Sequence, residues 1–207
     1  MDAESAARIP EHELVETLFS DLRAFEHVAV PPQTPSPFDT RLRVGFRALL
    51  GRSAPEGDVD ALLVPRGRPA QARAIEFKRV LMPAKAFATR QPNKLQELRK
   101  AVRQANSLAA LGFGHSWLAI LVVADTRELT RGVGFLAPDL ELMNLVRAAI
   151  PLPDLDPSVG LVINEITQCF DRPIGLAGMQ GGSLVRLPTS KAQSDRLTAA
   201  IGALVAV

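Results

Sequence analysis

Three consecutive stretches decide the fold: Gly57-Asp58-Val59-Asp60-Ala61-Leu62-Leu63-Val64, the link Pro65-Arg66-Gly67-Arg68-Pro69, and the segment from Ala72 to Val80 that contains Ile75-Glu76-Phe77-Lys78. Two apolar runs of strand length flank a linker of turn-forming residues, so Val59 to Val64 and Ala72 to Val80 are expected to form an antiparallel hairpin. Period-two alternation sends Glu76 and Lys78 to one face and Ile75 and Phe77 to the other. If Asp60 stands opposite Glu76, the turn centres on Arg68, which is where the linker falls. That register gathers Asp60, Glu76 and Lys78, with opposed Cβ atoms ~5 Å apart. Two carboxylates at that separation repel by roughly 3 kcal/mol at an effective dielectric of ~20. A divalent cation between them removes the repulsion. Hard oxygen ligands suit Mg²⁺, which keeps several waters for a phosphate substrate.

Outward from the hairpin, Glu11 to Phe25 reads as an amphipathic helix with Leu14, Leu18, Leu22 and Phe25 on one stripe. His27 to Val30 is expected as a short strand, the proline run 31–37 as an extended loop, and Thr40 to Leu50 as a strand. Asn93 to Leu111 is a helix that Asn93 can cap and Gly112 can end, with Leu95, Leu98, Val102, Ala105 and Ala109 as its apolar stripe. His115 to Ala124 is a buried strand. Leu136 to Ala149 then reads as helix, Gly160 to Ile166 as strand, Ile174 to Leu187 as a glycine-rich hairpin with Met179-Gln180-Gly181-Gly182 at its tip, and Ser190 to Leu204 as helix. The order describes an α/β domain with a central mixed sheet.

Composition agrees with a globular chain: 207 residues, 47% hydrophobic and 22% charged. Cys169 is the single cysteine, which excludes an intramolecular disulfide, and residues 1–10 carry no apolar run of a secretory leader. The longest apolar tail, Leu197 to Val207, is short of a membrane span, so a cytoplasmic protein with no membrane partner is expected. That tail suits a homodimer face or plain core equally.

Net charge is +2, but it is unevenly spread. Between Pro65 and Gln104 eleven basic residues meet only Glu76 and Glu97, a local balance of +9 against −7 for the remainder. Such asymmetry fits a polyanion-binding face, and it also fits a solvated helix face.

The Asp60 stretch followed by Ile75-Glu76-Phe77-Lys78, set between a helix and a helix–strand pair, resembles the core of the PD-(D/E)XK nuclease superfamily. The resemblance spans about residues 11–125 of what reads as one domain, 1–207, and leaves 126–207 as a C-terminal α+β extension. It implies a restriction-endonuclease-like fold: helix, mixed central sheet with an antiparallel hairpin, flanking helix. It further implies that Asp60, Glu76 and the Phe77 carbonyl hold Mg²⁺ (with Mn²⁺ able to substitute) and that Lys78 activates or positions the attacking water. Asp58 shares the face of Asp60 and is the fallback for the first acid; neither is preceded by the proline of a literal Pro-Asp dipeptide. Gln104 on the basic helix, and Glu13 or Glu16 on the first helix, are further candidates by the same resemblance. Arg90, Lys94, Arg99, Lys100 and Arg103 would hold the flanking backbone of a nucleic acid, DNA more than RNA.

Each of these residues also has a plainer role, Glu-x-Lys as a solvated strand face and Asp60 as a strand-start residue bonded to its turn. A non-catalytic nucleic-acid-binding or protein-interaction module on the same fold is therefore the alternative. Other chemistries lack their residues. His12, His27 and His115 are scattered, no Gly-x-Ser-x-Gly elbow occurs, and no Gly-x-x-x-x-Gly-Lys loop is present.

Overall fold

A computed structural model describes residues 10–21, 38–82, 97–125, 140–168 and 176–206. Among them, one six-stranded mixed sheet runs in sequence order. Its strands are β1 (Phe38–Gly45), β2 (Asp58–Pro65), β3 (Arg73–Met82), β4 (His115–Asp125), β5 (Val159–Gln168) and β6 (Leu176–Arg186). The pairs β1–β2, β2–β3 and β5–β6 are antiparallel, whereas β3–β4 and β4–β5 are parallel. The helices are α1 (Glu11–Asp21), α2 (Phe46–Leu50), α3 (Leu98–Ala110), α4 (Leu140–Ala149) and α5 (Asp195–Val205). This is an α/β fold.

The parallel strands sit at the centre because they can bury both faces. The run from Trp117 to Val123 is buried residue by residue. On one face α1 lays Leu14, Val15 and Leu18 against Ile75, Phe77 and Leu121. On the other, α3 sets Leu98, Val102 and Ala105 against Val80, Leu118 and Ile120. At the β1–β2 end, α5 covers Leu62 and Ala74 with Leu197 and Ile201. Among the described residues after 125, β5 and β6 extend the one sheet and α5 closes over the expected hairpin.

Three expectations need correction. The strand expected over Thr40 to Leu50 ends at Gly45, and Phe46–Leu50 turns into a short helix. Phe46 and Leu49, three apart, are both buried, and the Phe46 N–H donates to the Gly57 carbonyl at 2.9 Å. Where a hairpin is expected from Ile174 to Leu187, the described residues Leu176–Arg186 form a single strand paired with β5. Its supposed tip lies mid-strand, with Met179 opposite Ile166 and Gly182 opposite Asn164, and the ladder shifts register three times along this glycine-rich segment. The last helix starts at Asp195 and not at Ser190, because the Ser194 hydroxyl accepts from the Leu197 N–H and caps it. The expected strand at 27–30, the proline loop and the Asn93 cap lie outside the described residues.

Candidate active site

The β2–β3 ladder is the one anticipated from the linker: Ala61 stands opposite Ile75, Leu62 opposite Ala74, and Leu63 opposite Arg73. It stops at Ala61, one step short of an Asp60–Glu76 pair. Beyond that point the Phe77 N–H donates to Asp60 Oδ2 at 2.7 Å, so a side chain replaces the ladder bond where the strands part. On the other side of β2, Leu42 pairs with Ala61 and Val44 with Val59, while Arg43, level with Asp60, is skipped. Arg43 has φ of 53°, the sole non-glycine residue with positive φ among those described. Asp60 therefore has no ladder partner on either side: β3 parts from β2 there, and the β1 ladder skips it and resumes at Val59.

Glu76 lies beside it on β3 and is only 7% exposed. Burial, and then the Asp60 charge, push its carboxyl from the ordinary 4.5 up to about 9. Asp60 is half-buried. Burial raises its carboxyl to about 6, with the Phe77 N–H bond acting the other way and Glu11 and Asp58 adding to the rise. Lys78, two residues along the same face as Glu76, has a side chain 14% exposed, and its Nζ lies 3.5 Å from Glu11 Oε1 and 3.5 Å from Glu97 Oε2. The second Glu11 oxygen accepts the Arg79 N–H at 2.5 Å, which latches the start of α1 onto β3. Asp60, Glu76 and Lys78 are thus brought together, with Glu11 over them from α1 and Glu97 from the N-terminal end of α3.

An open cleft of about 220 Å³ leads to this cluster, lined by Glu11, His12, Val15, Glu16, Leu42, Arg43, Asp58 and Asp60. Asp58, exposed at the start of β2, and Glu16, exposed on α1, share its wall. Glu13 is exposed and outside it, its carbonyl accepting from the Thr17 hydroxyl. Gln104 is exposed on α3, two turns past Glu97, and none of the contacts around Asp60, Glu76 and Lys78 involves it. Arg99, Lys100 and Arg103 are exposed on the same helix. Arg90 and Lys94 lie outside the described residues.

The donor set can be tested against a cation. Among the described residues no group of three or more His, Cys, Asp or Glu is arranged to hold a metal. What is present is a pair of neighbouring acids whose carboxyls are raised chiefly by burial and then by nearby negative charge. Mg²⁺ is commonly held by one or two carboxylates with water and substrate phosphate filling the remaining positions, so this pair fits Mg²⁺ or Mn²⁺ and not a closed zinc site.

Glu11, Glu97 and Arg43 were not among the sequence candidates. A signal existed for Glu11: it falls three before Leu14 and seven before Leu18, on the buried stripe, whereas Glu13 and Glu16 do not. No protein-family model and no curated protein matches the chain.

Proposed function

We propose that the chain is a Mg²⁺-dependent phosphodiesterase of nucleic acid, DNA in preference to RNA, with a restriction-endonuclease-like core of the PD-(D/E)XK type. The observation that carries the reading is the parting of β2 and β3 at Asp60, with its carboxylate on the Phe77 N–H and the buried Glu76 beside it. An acid pinned at a strand fork by a backbone bond is pre-organised, and a cation offsets the cost of charge on two acids that burial, and then neighbouring negative charge, hold back from ionising.

Asp60 and Glu76 would hold the ion, with the Phe77 carbonyl as the third protein donor. Bound there, Mg²⁺ supplies positive charge to the scissile phosphate and makes a water more acidic. The chain's own part is positional. Lys78, held by Glu11 and Glu97, presents an ammonium to orient the attacking water and to offset charge on the phosphoryl group. Exposed Arg99, Lys100 and Arg103, together with Arg90 and Lys94, supply phosphate contacts that carry no base specificity.

One observation favours the second reading, a non-catalytic binding module. Lys78 is already ion-paired to two glutamates, as in a structural salt-bridge cluster. Calorimetric titration of Mn²⁺ and Ca²⁺ into wild type and Glu76→Ala separates the two. Millimolar or tighter binding lost on mutation, with Mg²⁺-dependent nicking of plasmid DNA, supports the enzyme. A flat trace without nicking overturns it in favour of the module.

A further inference from the structure

The geometry points to Arg43 as the residue that grips a DNA backbone phosphate at the mouth of the cleft, next to the one that is cut. The assignment rests on the nuclease reading and adds a substrate-positioning residue to it. Arg43 is exposed and lines the cleft with Asp58 and Asp60. Four carboxylates share that cleft, of Glu11, Glu16, Asp58 and Asp60, yet Arg43 forms an ion pair with none of them among the described residues. Its guanidinium keeps its donors available, and a planar fork of donors matches phosphate oxygens.

The backbone gives a second, independent reason. At φ of 53° Arg43 occupies the left-handed region that glycine would take without strain. The distortion skips one rung of the β1–β2 ladder at the level of Asp60. Ordinary strand geometry would give that rung a regular pair and aim the side chain by the alternation of its neighbours. A strained conformation at the rim of a candidate site, held by an arginine where glycine is easier, is accounted for by what the side chain does there.

Phosphodiester oxygens are the ligand chemistry that fits both features. A chain-neutral or cationic substrate gains nothing from Arg43, whereas an anionic backbone approaching two acids needs a cation at the entrance. The residue acts by positioning: it lowers the cost of bringing the strand to Asp60 and leaves the bond-breaking groups unchanged.

The test compares wild type, Arg43→Gly, Arg43→Lys and Arg41→Gln. Fluorescence anisotropy with a short labelled DNA duplex in Ca²⁺ is read across a salt series, with plasmid nicking in Mg²⁺ and thermal unfolding alongside. Arg43→Gly is expected to unfold at the same or a higher temperature, because glycine relaxes the left-handed backbone. The same variant is expected to bind about tenfold more weakly, raise KM with little change in kcat, and flatten the log–log salt slope by about one. Arg43→Lys restores the salt slope. Arg41→Gln, an equal charge loss two residues away on β1 and outside the cleft lining, stays near wild type. If wild type binds and nicks while Arg43→Gly matches it in affinity and slope, the Arg43 assignment falls and the nuclease reading stands. Wild type that binds and never nicks, with Arg43→Gly still weaker, keeps the phosphate contact and overturns the catalytic reading. Failure of wild type to bind DNA even at low salt overturns both.

Discussion

The Phe77 N–H donates to the Asp60 carboxylate at 2.7 Å, although the ladder joining their strands ends one residue earlier, at Ala61 and Ile75. One side chain therefore holds the fork of β2 and β3 while its charge stands beside Glu76. The two roles separate by substitution. Asp60→Ala leaves the Phe77 N–H without its acceptor, which costs about 1–3 kcal/mol. Asp60→Asn keeps an acceptor and removes the negative charge, so without metal it should unfold at the same urea concentration as wild type or higher. Equal destabilisation by Ala and Asn would show that the bond does not hold the fork.

The raised carboxyls make stability pH-dependent. Glu76 stands at about 9 against 4.5 and Asp60 at about 6 against 3.8, so between pH ~4 and ~9 these two carboxyls hold more protons in the native chain than in the unfolded one. Their contribution to the stability of the metal-free protein is full below that window and falls as pH rises through it, by at most ~1.4 kcal/mol per pH unit per proton. Glu76→Gln should flatten the fall above pH ~6. Cation binding at neutral pH should release close to one proton, measurable by calorimetry in buffers of different ionisation enthalpy. A midpoint that rises from pH 5 to pH 9 without metal contradicts this.

The hairpin was legible because its signals are local: Gly and Pro mark the turn, alternation marks the faces, and the Arg68-centred link fixes the register as far as Ala61 and Ile75, past which Asp60 bonds the Phe77 N–H and forms no ladder pair with Glu76. The same locality explains what was not legible. Whether Thr40 to Leu50 stays extended depends on Phe46 finding the Gly57 carbonyl and a pocket under α5, contacts distant in sequence. The glycines of β6 look like turn residues until β5 is present to pair with them. In the site, Glu97 reads as one acid in a basic stretch, and only the packing of α3 against β3 brings it to Lys78. Arg43 carries no sequence sign at all, since left-handed backbone at an arginine has no composition signature.

Gly160 on β5 tests the packing that supports the central strands. A Cβ there would lie 2.5 Å from the Trp117 ring on β4, inside contact distance of a rigid aromatic. Gly160→Ala should destabilise by about 1–3 kcal/mol, with Trp117 fluorescence shifted in the folded state. An unfolding midpoint equal to wild type would mean the ring has room to move.

If the basic stretch serves a nucleic acid, affinity must fall steeply with salt. Four to six phosphate contacts correspond to a log–log slope of roughly −4 to −5 on duplex DNA. Replacing exposed Arg99, Lys100 and Arg103 together by Gln should remove two to three units of that slope, counted at about one per contact. A slope near zero in wild type returns these side chains to solvating α3.

Binding and cleavage should separate at β3. Lys78 and Glu76 share a face two residues apart, but an ammonium is no metal ligand and a carboxylate is. Lys78→Ala should leave Ca²⁺ affinity within a few-fold of wild type, because Glu11 and Glu97, which it now pairs, remain as the nearest charges. Its Mg²⁺-dependent nicking should drop by two or more powers of ten, with the loss of the group that orients the water. Glu76→Ala should lose metal and cleavage together. Without metal it should bind DNA about as tightly as wild type, since burial already keeps the Glu76 carboxyl protonated at neutral pH and its removal takes away no charge. Plasmid nicking in Mg²⁺ and a duplex titration in Ca²⁺, run on all three proteins, read both quantities. Nicking by both variants at the wild-type rate would remove these residues from the chemistry, and loss of metal by Lys78→Ala would make the cluster a single structural unit with no division of labour.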